Sequence, residues 1–452
     1  MAAVNGEEPQ GSTTPVVNEA ASGTVETDCV VAETLPDIAF TLSDGGPLGD
    51  EPEQPAARDY PIGHEPAAID PEPPRTEMST NAEEDRVDIA GATAELTRRL
   101  MESFLLEAPI GWRRLEAVFS VAATVSIAEA GFFDEDGHLS RVDATPETLE
   151  YVHELRALTS VVAGGPWWRI VLWLSDSGEL DYEFDYGDRP FPADHLLPPE
   201  AYEADLAVYP RERLPVWLAA YMRHNDRQLR IPERTEHRVL ADRAAGIVPS
   251  ILRFPSLDLV WARWAVVAAA AVAVGSDWGP RIFPSSGRFE SVGGSGSTLQ
   301  LLPGRRAVLS GGIWDDPSLD AAYNAGAPLP DYFAGAPDWL AVPVLNPRVG
   351  GGLLSFCYWW DGDGWYRGES PDPDRIGDAI PGLWTVETVV DVVCRVMDES
   401  VPATAVADLV RAGESAEVDR DIAGAVLRPT DESAFADAYH QLALAGVTVR
   451  DR

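Results

Sequence analysis

The sequence predicts an α+β protein: a disordered N-terminal tail followed by two domains, each an antiparallel sheet packed by helices. Three observations carry this prediction. Runs of period-2 alternation, above all "PWWRIVLWLSDSGELDYEFDYG", flank short turn signals in the manner of hairpins. Between them lie runs whose apolar residues recur three and four apart, the spacing of amphipathic helices. Residues 1–85 show neither pattern; they are acidic and rich in Pro, Ser and Thr, too weakly apolar to offset the entropy of ordering.

The first domain is expected over 88–228. "VDIAGATAELTRRLMESFLLEAP" sets Leu96, Leu100, Phe104 and Leu105 on one helical face and ends at Pro109. "GWRRLEAVFSVAATVSIAEAGFF" reads as extended, with "DEDG" as a turn. Thr145-Pro146-Glu147 opens a second helix. In the hairpin that follows, burial favours a register pairing Leu172 with Leu180, Ile170 with Tyr182 and Trp168 with Phe184, with Arg169 opposite Glu183. That register calls for an odd-length loop with Gly178 in a left-handed position. Asp181, Glu183 and Asp185 then line a solvated face at about 7 Å intervals. "PRERLPVWLAAYMRHN" closes the domain as a helix.

The second domain is expected over 233–452. An Arg-rich helix leads into "WAVVAAAAVAVG", too short for the roughly 20 residues of a membrane span and preceded by Arg263, hence a buried core helix. A Gly-rich strand region follows, then the hairpin "LLSFCYWWDGDGWYRG" with a tight turn at Asp361-Gly362-Asp363-Gly364. The helices "TVETVVDVVCRVMDES" and "DESAFADAYHQLALAG" complete the chain.

Composition narrows function. Against 34 basic residues stand 74 acidic ones, a net charge of -40. Nucleic acid and anionic membranes would be repelled; the charge favours a basic partner or a role that needs only high solubility. No lysine occurs, as in GC-rich, actinobacterial-type coding, so Schiff-base chemistry, a P-loop lysine and a protein-kinase site are excluded. Cys29, Cys357 and Cys394 are too scattered for a zinc ribbon or a disulfide framework and fit a reducing cytoplasm. The N-terminus has no basic or apolar signal region.

Motifs for catalysis fail one by one. "FFDEDGHLSRVD" would need Phe132 as the first calcium ligand and Asp143 as the twelfth, so it reads as a turn. "SVGGSGSTLQ" lacks Gly-Lys-Ser/Thr, and Ser297 stands where a nucleophile elbow needs Gly. The seven histidines form no HxH or HExxH pattern, and no spacing supports a metal site. What remains is acid interleaved with large aromatics, the composition of protein interfaces. Asp181, Glu183, Asp185 and Asp188 with Trp167, Trp217 and, less directly, Tyr202 form one candidate partner-binding surface. Trp360, Asp361, Asp363 and Trp365 form another.

"WWRIVLWLSDSGELDYEFDYGD" followed by "YEADLAVYPRERLPVWLAAY" resembles the YezG-like immunity proteins of polymorphic toxin systems. The likeness covers about residues 90–225. It implies a cytoplasmic protein that binds a cognate secreted toxin, often a nuclease or an NAD-consuming enzyme, and blocks its active site without cofactor or catalysis. Two other classes compete with this reading. One is a secretion-associated chaperone or adaptor that docks through the tail; the other is a hydrolase built on the 293–296 loop and Ser295.

Overall fold

The computed structural model describes residues 81–160, 165–340, 347–397, 401–427 and 432–449. The expected disorder of the tail falls on residues outside this set, except that the first helix, α1 (Asn81–Phe104), already begins at Asn81. The chain continues as β1 (Trp112–Val121), β2 (Ser126–Asp134), β3 (Leu139–Val142), α2 (Pro146–Thr159), β4 (Arg169–Ser175), β5 (Leu180–Asp185), α3 (Pro199–Val208) and α4 (Val216–Arg223). Next come α5 (Pro232–Ala245), β6 (Ser250–Leu252), α6 (Leu257–Ala273), β7 (Gly279–Phe283), β8 (Ser286–Glu290), β9 (Gly296–Leu302) and β10 (Arg306–Gly312). After α7 (Pro317–Asn324) follow β11 (Phe356–Asp361), β12 (Trp365–Arg367), α8 (Val386–Val396), α9 (Ala403–Glu414), α10 (Arg420–Val426) and α11 (Glu432–Leu444). The protein is α+β, with two antiparallel sheets ordered β3-β2-β1-β4-β5 and β6-β12-β11-β10-β9-β8-β7.

In the first sheet, alternation decides the faces. Leu115, Ala117 and Phe119 of β1 and Ile170, Leu172 and Leu174 of β4 bury against Leu100, Met101 and Phe104 of α1 and Val152 and Leu155 of α2. Helix α2 starts where Thr145 predicts: its hydroxyl accepts the Thr148 N–H, and the Thr148 hydroxyl accepts the Thr145 N–H in return.

The β4–β5 hairpin keeps the expected facing but shifts by two residues. Leu174 pairs with Leu180, Leu172 with Tyr182 and Ile170 with Phe184, while Arg169 faces Asp185 in place of Glu183. The turn causes the shift. Ser175 N–H donates to the Glu179 carbonyl at 2.9 Å, leaving Asp176, Ser177 and Gly178 as a three-residue loop, with Gly178 at φ 86°. The expected register would pair Gly178 with Leu174 inside the ladder and deny it the left-handed loop position.

In the second sheet, α6 is buried as expected, nearly all of it from Val260 to Ala273. Arg263 is tolerated there because Nε reaches Glu414 at 2.7 Å and NH1 reaches the carbonyls of Leu383 and Trp384. Among the described residues, no helix is long and apolar enough to cross a membrane. The β11–β12 turn is tight, with the Asp361 N–H donating to the Gly364 carbonyl at 3.2 Å and Gly362 at φ 80°.

Candidate protein-binding face

The first sheet buries one face under α1 and α2. Its other face is largely open, and the cross-strand register fixes what it displays. Glu116, Trp173 and Asp181 form one row, directly paired from β1 to β4 to β5. The next row is Glu129, Val118, Val171 and Glu183. Directly paired side chains on one face lie about 5 Å apart and successive ones along a strand about 7 Å. Trp173 is therefore flanked on both sides by carboxylates, with Val118 and Val171 beside it and Glu129 and Glu183 beyond. Asp181, Glu183 and Glu129 are exposed, and Trp173, Glu116 and Val118 are partly exposed. Arg114 borders the patch at one end, 3.2 Å from Glu116 and 4.7 Å over the Phe133 ring, and Arg169 at the other, two positions along β4 from Val171.

The acids occupy an edge. Because Glu179 pairs through its carbonyl with Ser175, the backbone groups of Leu180, Tyr182 and Phe184 turn away from β4. The Asp181 carboxylate accepts the Tyr182 N–H at 2.9 Å and so occupies one outward-facing donor. Charge on an edge strand also discourages unwanted pairing with other sheets.

Asp185 departs from the expected solvated row. It is partly buried, 3.4 Å from Arg169, and accepts the Gly187 N–H at 2.9 Å. Burial raises its carboxyl above the usual range despite these two contacts. Asp188 is exposed just beyond the strand.

The tryptophans require correction. Trp167, Trp217, Trp360 and Trp365 are all buried, at 0, 6, 7 and 1% exposure, and none can serve as an outward contact. Trp167 stacks on Phe184 at 5.7 Å and donates to the Thr159 hydroxyl at 3.0 Å. Trp217 meets Phe191 edge-on and donates to the Gly187 carbonyl at 2.7 Å. Trp365 donates to the Pro255 carbonyl and packs edge-on against Trp360. Adjacent residues on a strand point to opposite faces, yet both members of the Trp167-Trp168 and Trp359-Trp360 doublets are buried, because both faces are covered at those positions. Trp168 is buried with Phe191 and Tyr202 beneath α3 and α4, and Trp359 with Tyr332, Leu340 and Leu354. Tyr202 is likewise core.

At the second hairpin Asp361 and Asp363 remain exposed, and Asp361 contacts Arg306 at 3.4 Å. Asp361 also borders a cleft of about 240 Å³ with Arg243, Trp359 and Tyr366. The cleft's other carboxylate, Asp242, is committed to Arg238 at 2.9 Å and the Gly335 N–H at 3.0 Å. The structure does not bring this hairpin's acids around an exposed aromatic as the first sheet does.

Sequence reading missed Trp173, Glu116, Val118 and Glu129. The signal was present in β4, where Arg169, Val171 and Trp173 share a parity opposite to Ile170, Leu172 and Leu174. Ser295 forms no nucleophile elbow: it lies in the β8–β9 turn, 3% exposed, its hydroxyl accepting the Trp314 N–H at 2.9 Å. At "DEDG" the turn reading holds. Asp134 accepts the N–H groups of Asp136 and His138, and the Gly137 N–H reaches the Asp134 carbonyl.

No family model matches the chain, and no curated protein matches it.

Proposed function

We propose that this chain is a non-catalytic binding protein, an immunity or antitoxin protein acting in the cytoplasm, whose open sheet face docks on a cognate toxin. The observation that carries the reading is Trp173 held between Glu116 and Asp181, with Glu129 and Glu183 around it. A large aromatic within a ring of carboxylates fits an Arg- or Lys-bearing surface: the acids steer the approach and the indole supplies contact area and cation–π attraction. A nuclease is the partner class best matched, because a site that binds phosphates is itself basic. The strand and turn pattern shared with YezG-like immunity proteins supports the same reading.

The test begins with the neighbouring reading frames, where a secreted protein with a toxin-type C-terminal domain is expected, and measures association kinetics with that domain. Reversal of Asp181 and Glu183 to Arg is expected to slow association roughly tenfold at low salt, with the difference shrinking as salt screens the field. Trp173→Ala is expected to raise the dissociation rate at least as much. An on-rate unchanged by the double reversal removes this face from the interface.

A further inference from the structure

Next to the open face, a short 3-10 turn, Ala193–His195, brings three ionisable side chains together from distant parts of the chain. Glu129 of β2, Asp194 and His195 each offer a ligand-type atom, and these atoms lie within 4.8 Å of one another. The two carboxylates are exposed, whereas His195 is only 6% exposed and its Nδ1 has no hydrogen-bond partner among the described residues. Orphaned buried polar atoms are uncommon, because each forfeits its solvation without replacement. The bare Nδ1 of the buried His195 ring points to a missing partner.

We propose that Glu129, Asp194 and His195 form a binding site for a divalent transition-metal cation of the zinc type, reaching beyond the partner-docking role. One imidazole with two carboxylates gives three protein ligands and leaves a position for water, the pattern of an open site. The imidazole selects against Mg²⁺ and Ca²⁺, which prefer oxygen-only shells. Ligand atoms around a tetrahedral ion are about 3.4 Å apart at ordinary zinc–ligand lengths, so the trio must contract. Glu129 and Asp194 can do so by side-chain rotation while the buried imidazole stays fixed. Arg169, two positions along β4 from Val171 of the Glu129 row, carries a positive charge that would oppose a cation, and Asp185 offsets it across 3.4 Å. The second acid–His group, Asp134, Asp136 and His138, offers no such case. It is built into an exposed hairpin turn, and Asp134 already bonds two backbone N–H groups and the His138 ring.

The experiment is calorimetric titration of the untagged, EDTA-stripped full chain with ZnCl₂, paired with thermal unfolding. One equivalent of Zn²⁺ is expected to bind and to raise the melting temperature by mass action. His195→Asn is expected to weaken binding roughly 100-fold, and Asp194→Asn, at an exposed position that leaves the fold intact, roughly tenfold. Asp134→Asn should leave the titration unchanged. Absence of Zn²⁺ binding, binding indifferent to Asp194→Asn and His195→Asn, or displacement of Zn²⁺ by an equal concentration of Mg²⁺ overturns the assignment.

Discussion

Asp205 is the residue on which the interior of the first half turns. It is wholly buried, and one carboxylate oxygen accepts from Arg156 at 2.8 Å and from the Trp168 indole at 3.0 Å. Arg156 also donates to the Trp167 carbonyl, and the Arg211 guanidinium stacks 3.6 Å over Trp168. Burial lowers Arg211 to about 10, so two guanidinium groups in this region rely on one carboxylate. Asp205→Ala is expected to cost about 3–5 kcal/mol in urea unfolding, because it strands Arg156 without a counter-charge. A loss near that of a surface substitution would show that the pair contributes little. Asp205 also explains where residue-level reading went astray. "YEADLAVYP" reads as an acidic stretch, and nothing local marks one of its acids as the internal anchor that draws Trp168 inward. The choice of Trp167 in place of Trp173 has the same origin: the doublet is conspicuous, but which indole reaches solvent depends on what covers each face.

At the scale of elements, local chemistry was legible wherever it is complete within a few residues. The start of α2 at Thr145, the left-handed Gly178 and the burial of α6 all follow from short-range rules. The reciprocal Thr145–Thr148 cap satisfies two N–H groups at the helix start. Thr145→Ala is therefore expected to cost about 1 kcal/mol, read as a lower urea midpoint at unchanged slope. A change in slope would mean that more than the cap is lost. The β4–β5 register was only half legible. Parity follows from hydrophobic alternation, but registers two residues apart bury the same faces, and only the placing of Gly178 inside the loop separates them. The open face was harder still, since β1, β2, β4 and β5 each contribute to it, and which strands pair is not written in any one of them.

At the scale of the molecule, each sheet keeps its own core, and a third cluster joins the two halves. Leu319 and Tyr323 of α7 pack into the cluster that holds Trp168, Trp217 and Leu218. Polar contacts close the same seam: the Asn324 amide exchanges bonds with the Leu214 backbone, and the Gln228 amide does so with Leu354. Tyr323 lies at the centre, 3% exposed, its hydroxyl donating to the Gly352 carbonyl at 2.7 Å and its own carbonyl accepting from Arg223. Chains of this length commonly unfold in more than one step. Here neither half can open without exposing apolar surface of this joining cluster, so one cooperative transition is expected. Tyr323→Ala provides the test. Removing the ring should cost about 3–5 kcal/mol. Native-state hydrogen exchange should then accelerate by the same factor at the β1–β4 ladder and at the β10–β11 ladder, which no element boundary predicts. Acceleration confined to one ladder would mean that the seam joins two independently stable parts, and that the acidic face could be carried by the first sheet and its helices alone.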